Sequence, residues 1–282
     1  MIQPRTASGR EALAAVVSHP AGVLLAVDFD GTLAPIVDDP ACARVHPQAP
    51  GILAELAAHI CGVAVVTGRP AADAVRIGRF DDVPDLVVIG HYGLERWHEG
   101  ELRAVEGLDA IDGVRAGLQQ LVDELGEPGV VLEDKSKSVA VHTRRAARPA
   151  DTLASLRPQV EELARDAGFE VVPGRDVLEV RPSGRDKGTA LAALIEEFGA
   201  RSVIYVGDDV GDLPAMRMVH NACQTAGLVI VSSSEGVAQE VLDVADLTVD
   251  GPGGLVSWLS WLRDQWQAGH ADEPARRGVR AP

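Results

Sequence analysis

Short runs of apolar residues recur at Val23–Phe29, Val63–Thr67, Leu86–Ile89, Val203–Val206 and Leu228–Val231, each ending in or running into polar residues or glycine. Runs this short and this uniformly apolar suit strands covered on both faces, as in a parallel sheet. Between several of them the apolar positions change to a spacing of three and four, as at Ile52, Leu53, Leu56 and Ile60 and again at Leu191, Leu194, Ile195 and Phe198, which predicts helices. Strands alternating with helices predict a doubly wound α/β fold. From Leu255 the stripe Leu255, Trp258, Leu259, Leu262 and Trp266 predicts a closing helix packed on the core, with a partner-binding helix as the alternative.

The middle of the chain has a different rhythm. A helix over Ile111–Leu125 is followed by strands Gly129–Asp134 and Ser138–Thr143, a helix over Thr152–Ala167, and strands Phe169–Val172 and Val177–Arg181. Paired strands with short turns predict an antiparallel sheet with two helices, a smaller α+β domain inserted at 104–183 into a core formed by 1–103 and 184–268. Arg181-Pro182-Ser183-Gly184-Arg185 suits a hinge at its exit, and 269–282 reads as a flexible tail.

Composition narrows the function classes. A chain of 282 residues with 46% hydrophobic positions suits one or two globular domains. Lys and Arg total 26 against 42 Asp and Glu, a formal charge of −16, which leaves no footprint for nucleic acid and disfavours anionic membranes. Cys42, Cys61 and Cys223 are scattered with no C-x-x-C, so neither a disulfide framework nor a thiolate zinc site is readable. With no apolar run long enough to span a bilayer, a cytoplasmic protein is expected, and a monomer.

The chemistry concentrates where strands end. In Val27-Asp28-Phe29-Asp30-Gly31-Thr32, residues two apart on extended backbone point the same way, so Asp28 and Asp30 share one side of a strand end. Open α/β sheets keep their ligand crevice at that edge, although a lone D-x-D is equally a turn with capping carboxylates. Thr67-Gly68-Arg69 places a hydroxyl beside a glycine where the next helix begins, as an anion site or a plain N-cap. Lys187 opens a helix behind Asp186, where its charge opposes the helix dipole unless an anion compensates; a solvated lysine is the plainer reading. The stretch Gly207-Asp208-Asp209-Val210-Gly211-Asp212 adds three carboxylates. Were these to meet Asp28 and Asp30, a cation would have to offset them, and donors that are all hard oxygens point to a magnesium-type ion.

An Asp pair, a Thr, a Lys and an acidic loop in this order resemble the haloacid dehalogenase (HAD) superfamily of phosphotransferases, and the insertion resembles that superfamily's larger type of cap. Within it the chain is similar to trehalose-6-phosphate phosphatases over nearly its whole length, through Asp28–Ile36, Val66–Arg69, Gly90–Glu95, Leu132–Lys135 with Val139–His142, Leu178–Pro182 and Lys187-Gly188. One departure is Gly207–Pro214, where much of the family has Thr-Asp-Glu after the Asp pair. The resemblance implies a doubly wound, HAD-like core with an inserted α+β cap, and a sugar phosphate as substrate. It implies Asp28 as the nucleophile that becomes an aspartyl-phosphate, Asp30 as acid and then base, and Thr67 and Lys187 as phosphoryl-binding groups. Mg²⁺ is implied on Asp28, the Asp30 carbonyl and Asp208, with Asp209 and Asp212 acting through waters.

Strand alternation puts Val177, Glu179 and Arg181 on one sheet face, and Glu133 with Lys135 on one side of their own strand. One face of the inserted sheet is therefore polar, either simply wetted or, as the resemblance implies for Glu133, Lys135 and Glu179, binding sugar hydroxyls. Arg181, Gly68, Arg69, His91 and Tyr92 complete the expected substrate contacts. For the last two, a glycine-bearing turn before a hairpin at Trp97 explains the sequence nearly as well. A cap that closes over the sugar and excludes water is expected. The alternatives are another sugar phosphatase or phosphohexomutase, or, from another class, a phospho-Asp receiver domain. No G-x-G-x-x-G or G-x-x-x-x-G-K-[ST] supports a nucleotide-binding reading.

Overall fold

A computed structural model describes residues 3–37, 42–105, 110–174, 176–221, 226–234 and 236–271. Cys223 lies outside them. The strands are β1 (Val23–Val27), β2 (Gly62–Val66), β3 (Leu86–Gly90), β4 (Glu95–His98), β5 (Glu101–Ala104), β6 (Val131–Asp134), β7 (Val139–His142), β8 (Phe169–Gly174), β9 (Val177–Pro182), β10 (Ser202–Gly207), β11 (Ala226–Ser233) and β12 (Leu247–Asp250). The helices are α1 (Ala7–Ser18), α2 (Ala49–Ala57), α3 (Ala71–Gly78), α4 (Ala110–Leu125), α5 (Pro149–Asp166), α6 (Lys187–Phe198), α7 (Leu213–Asn221), α8 (Gln239–Asp243) and α9 (Gly251–Ala271). They divide into two compact units, one from the chain up to Arg103 and from Asp186 onward, the other Ala104–Arg185.

The first unit is a sheet in the order β12-β11-β10-β1-β2-β3-β4-β5. Neighbours from β12 to β3 are parallel, and β4 turns back antiparallel on β3. All five residues of β1 are buried because both faces are covered. Val23, Leu25 and Val27 face a cluster that includes Val16 of α1, Leu53 and Leu56 of α2 and Leu259 and Leu262 of α9. Leu24 and Ala26 point the opposite way, towards Leu191 and Leu194 of α6 and Met216 and Val219 of α7. The period of two within one apolar run thus feeds two separate cores.

From β1 the chain winds through β2 and β3 to one side, and from β10 through β11 and β12 to the other. The switch point falls between β1 and β10, where the carboxyl ends of neighbouring strands open a crevice.

The tryptophan stripe packs inward, as α9 buries Trp258 and Trp266, and the Trp266 indole donates to the Val16 carbonyl at 3.1 Å. The helix runs on to Ala271, three residues into the segment read as a tail; 272–282 lie outside the described residues. Among the described residues no helix is long and apolar enough to cross a membrane.

The second unit is an antiparallel sheet in the order β6-β7-β9-β8. Val139, Val141, Leu178 and Val180 turn one face to Ile111, Val114 and Leu118 of α4 and Leu156, Val160 and Ala164 of α5. Helix α5 begins at Pro149 rather than at Thr152, because proline's fixed φ and missing N–H suit the first helical position.

Candidate active site

Asp28 follows β1 directly, its N–H donating to the Val206 carbonyl of β10 at 2.8 Å, so the ladder carries the nucleophile candidate to the crevice edge. Asp208 follows β10 on the neighbouring strand, and oxygens of Asp28, Asp208 and Asp212 gather within 4.8 Å of one another, all buried. Asp212 sits in the short turn Val210–Asp212 after β10.

The cation that reaches this group is Lys187, the first residue of α6. Asp186 N-caps the helix, accepting from Thr189 N–H at 2.7 Å. A lysine at this end opposes the dipole, and here the compensation is explicit: Nζ lies 2.6 Å from Asp28 Oδ1 and 2.7 Å from Asp212 Oδ1. Burial pulls the Lys187 pKa down, but Asp212 and Asp28 outweigh it and hold the ammonium well above its ordinary value.

The carboxylates divide by their donors. Asp212 is fully buried, which alone raises its pKa. Lys187, the Tyr205 hydroxyl at 2.6 Å and the N–H groups of Asp208 and Asp209 at 3.0 and 3.2 Å outweigh burial and lower it. Asp212 is therefore an ionised bracket whose oxygens are already occupied by the protein. Asp28 and Asp208 are pushed up, Asp208 to about 8, first by burial and then by neighbouring carboxylates. Asp208 Oδ1 is buried without any hydrogen-bond partner. An orphaned buried carboxylate oxygen beside two further carboxylates, facing one ammonium, fits a hard divalent cation.

Backbone close to the acids makes room for them. Gly31 has φ +78°, and a Cβ there would lie 1.9 Å from Asp208 Oδ2. The Ser232 hydroxyl at the end of β11 donates to the Gly31 carbonyl at 2.7 Å and pins the loop.

The other expected residues stand as follows. Asp30 carries a two-pronged Arg69 ion pair, both bonds 2.6 Å, with the guanidinium 5.1 Å over the Phe29 ring. Asp209 accepts Gly211 N–H at 2.9 Å and also meets the Asp212 side chain, its pKa raised chiefly by burial. Thr67 is buried after β2, its Oγ1 accepting the Arg69 N–H at 3.1 Å. Tyr92 lies against Gly68, where a Cβ would come within 2.6 Å of the phenol oxygen, and its N–H donates to the Thr67 carbonyl at 3.2 Å.

His91, expected as a substrate contact, lies inside the structure. It is 1% exposed with its imidazole 3.7 Å from buried Glu95, whose other oxygen accepts Ala71 N–H at the start of α3. Its backbone N–H holds the Arg69 carbonyl at 3.0 Å, so in this structure it braces the Thr67–Arg69 loop from behind.

In the second unit the strand register aligns Glu133 of β6, Ala140 of β7, Glu179 of β9 and Val172 of β8 in one row. Ser138 Oγ donates to Glu179 Oε1 at 2.7 Å and Lys135 Nζ lies 3.4 Å from the same oxygen. Glu133 meets His142 Nε2 at 2.9 Å, and Arg181 meets Glu170 at 2.9 Å. The sheet face opposite the helices is therefore polar, with each of these acids beside a nitrogen donor or ring.

Sequence reasoning gave no role to Tyr205 or Ser232. A lone aromatic hydroxyl in an aliphatic strand three residues before Asp208 was the available signal for Tyr205; Ser232 offered none.

A profile of the family described as trehalose-phosphatase matches residues 26–248. The chain belongs to the trehalose-phosphatase family. It is 35% identical over 266 residues to a trehalose-phosphate phosphatase of Mycobacterium avium, covering 89% of this chain and 64% of that protein. It is 37% identical over 218 residues to that of Mycobacterium leprae, covering 72% and 49%. The chain thus spans about half to two-thirds of the length of these trehalose-phosphatase relatives. The solved C-terminal domain of the Candida albicans trehalose-6-phosphate phosphatase shares the fold, with a TM-score of 0.73 at 18% identity over 93% of this chain and 98% of that one. A haloacid dehalogenase-like hydrolase of Bacteroides thetaiotaomicron shares it at a TM-score of 0.60 and 14% identity, covering 85% and 98%. This trehalose-phosphatase chain therefore has a HAD-like α/β fold, and family membership displaces the receiver-domain alternative.

Proposed function

We propose that this chain hydrolyses trehalose 6-phosphate to trehalose and inorganic phosphate through an aspartyl-phosphate on Asp28, with Mg²⁺ as cofactor. The observation that carries the reading is the buried trio Asp28, Asp208 and Asp212 around Lys187 at the switch point of the sheet. Asp28 attacks phosphorus in line, a phosphorus–oxygen bond forms, and the bond to the sugar oxygen breaks. Lys187, fixed on Asp28 Oδ1, orients the carboxylate and remains positive beside the phosphoryl oxygens. Asp30 gives its proton to the departing sugar oxygen, then takes one from the water that attacks the aspartyl-phosphate and frees Asp28. Arg69 holds both oxygens of Asp30 in this structure. An arriving phosphoryl group offers the guanidinium another anion and releases Asp30 for the first step.

Asp28, Asp208 and the Asp30 carbonyl would hold magnesium, with Asp212 and Asp209 shaping the loop behind them. The bound ion supplies positive charge at the phosphoryl oxygens. Selectivity is assigned to the inserted domain, read as a cap at 104–183, where Glu133, Lys135 and Glu179 offer acceptors and a donor to sugar hydroxyls. The same reading makes the protein a cytoplasmic monomer acting on a small sugar phosphate.

The test is phosphate release from trehalose 6-phosphate, sucrose 6-phosphate and glucose 6-phosphate, with magnesium and with chelator. The expected result is kcat/KM at least about tenfold higher for trehalose 6-phosphate, lost on chelation. Equal turnover of all three overturns the substrate, and turnover unaffected by chelator overturns the cofactor.

A further inference from the structure

The turn joining β6 to β7 is held in an unusual way. Ser136 at its tip has φ +67°, a left-handed conformation that a residue with a side chain adopts only when its surroundings impose it. Asp134 supplies part of the constraint, its Oδ1 accepting Ser136 N–H at 2.8 Å. The rest comes from a helix on the other face of the sheet. Arg115 of α4 places Nε 2.9 Å from Asp134 Oδ2 and Nη2 3.0 Å from Asp134 Oδ1, and the same Nη2 donates to the Ser136 carbonyl at 3.4 Å. A further ion pair to Asp112, one turn earlier on α4, fixes the guanidinium from behind. Through Nη2 the guanidinium thus bonds both the side chain that bends the turn and the carbonyl of its left-handed residue, with Nε in ion-pair range only.

What this turn presents is Lys135 and Ser138, bonded to each other through Lys135 N–H and the Ser138 carbonyl at 3.0 Å. Both side chains converge on one oxygen of Glu179. Because β6 is an edge strand, its outer side has no neighbouring strand to hold the turn.

We propose that Arg115 is a positioning residue for sugar selection: by clamping the β6–β7 turn it aims Lys135 and Ser138 at Glu179. This rests on the reading that the polar sheet face binds the sugar. An ion pair of this exposure is otherwise worth little and would be an ornament of helix α4.

The experiment is steady-state kinetics on the full chain, wild type and Arg115→Ala, Arg115→Lys, Lys135→Ala and the Arg115→Ala/Lys135→Ala double variant. Substrates are trehalose 6-phosphate and p-nitrophenyl phosphate, a phosphomonoester with no sugar. Arg115→Ala is expected to raise KM for trehalose 6-phosphate about three- to tenfold, with kcat within about twofold and p-nitrophenyl phosphate kinetics unchanged. Arg115→Lys, which keeps the charge and loses the fork, is expected to recover less than half of the effect. The double variant is expected to fall short of the product of the two single effects, since the lysine that Arg115 helps to aim is already absent. Multiplicative effects in the double variant, an unmoved KM, or equal losses on both substrates would overturn the assignment. Should wild type prefer sucrose 6-phosphate or glucose 6-phosphate, the substrate reading falls while the same cycle, run on the preferred sugar, still decides Arg115.

Discussion

The two sheets of this protein handle buried and half-buried carboxylates in opposite ways. At the β1–β10 edge one ammonium, Lys187, serves Asp28 and Asp212 while Asp208 keeps an oxygen with no partner. On the polar face of the β6-β7-β9-β8 sheet each acid has a basic group: Glu179 has Lys135, Glu133 has His142, Glu170 has Arg181, and at the turn Asp134 has Arg115. A charge deficit is costly to bury, so a fold that maintains one is prepared for a cation. A face whose acids each have a neighbouring nitrogen group presents donors and acceptors side by side, which suits a neutral polyol. On the proposed reading, chemistry and selectivity thus fall on sheets that differ in their electrostatics.

The sharpest way to break this contrast is to neutralise the deficit. Asp28→Asn removes the proposed nucleophile and a carboxylate of the deficit, and kcat for trehalose 6-phosphate is expected to fall by about 10³-fold or more while the protein stays folded. Phosphate release together with a thermal melt checks both halves. Retained hydrolysis at the wild-type rate would mean that Asp28 is not the acyl acceptor.

Deepening the deficit has the opposite effect on stability. Lys187→Met leaves Asp28 and Asp212 buried without their cation, and a destabilisation of about 3–5 kcal/mol is expected in metal-free protein, read by denaturant unfolding. Added magnesium should return part of it. In wild type, Asp208, held up at about 8 chiefly by burial, keeps its proton in the folded metal-free state where the unfolded chain has released it. Metal-free stability should therefore fall as pH rises from about 4 to about 8 and then level off. A cation that favours the carboxylate reverses this, so the rise in Tm on adding magnesium should grow with pH across that window. A magnesium increment independent of pH would place the ion elsewhere.

On the paired face the expected effects are smaller and of another kind. Glu179→Gln keeps the shape and removes one charge from a paired set, and KM for trehalose 6-phosphate should rise about tenfold with a lesser change in kcat. A loss confined to kcat would assign Glu179 to the chemistry and erase the distinction drawn between the two sheets.

How much of this was legible in the sequence follows from what each feature is made of. The central strands are continuous apolar runs because both faces are buried, and that signal needs no tertiary knowledge. Strand β5 is exposed throughout and β12 and α8 are short, so none of them stands out by periodicity. The gathering of Asp28 with Asp208 could be anticipated, since both follow apolar runs and α/β sheets align such ends. The division of labour among the acids could not. That Asp212 would be the lowered one depends on Tyr205 and two backbone N–H groups, and that Asp209 would turn to cap its own loop depends on a three-residue turn. Nor could the placement of His91 be read, since it is a left-handed backbone that sets the ring inward against Glu95.

A third carboxylate tests whether the contrast belongs to the sheets or to the pairing itself. Asp246 lies in the same unit as the deficit and is 1% exposed, yet it is fully provided for. His220 Nε2 lies 3.0 Å from Oδ2, the Val229 N–H donates to that same oxygen at 3.0 Å, and the Thr6 hydroxyl reaches Oδ1. Burial pushes its pKa up, but these donors outweigh burial and hold it below the ordinary value. Its contribution to stability is therefore present above pH 4 and lost as pH falls through the folded-state value, opposite in sign to Asp208. Thr6 also caps α1 by accepting Gly9 N–H at 2.9 Å, so Thr6→Ala removes one donor to Asp246 and one cap, a cost of about 1 kcal/mol that should shrink in acid. Measured against pH with magnesium absent, wild type should show two limbs, a rise out of acid to which Asp246 and Asp212 contribute and a fall towards alkali to which Asp208 and Asp28 contribute, and Thr6→Ala should reduce only the first. Flattening of both limbs would mean that the two carboxylates share one network, and the electrostatic isolation of the deficit would be lost.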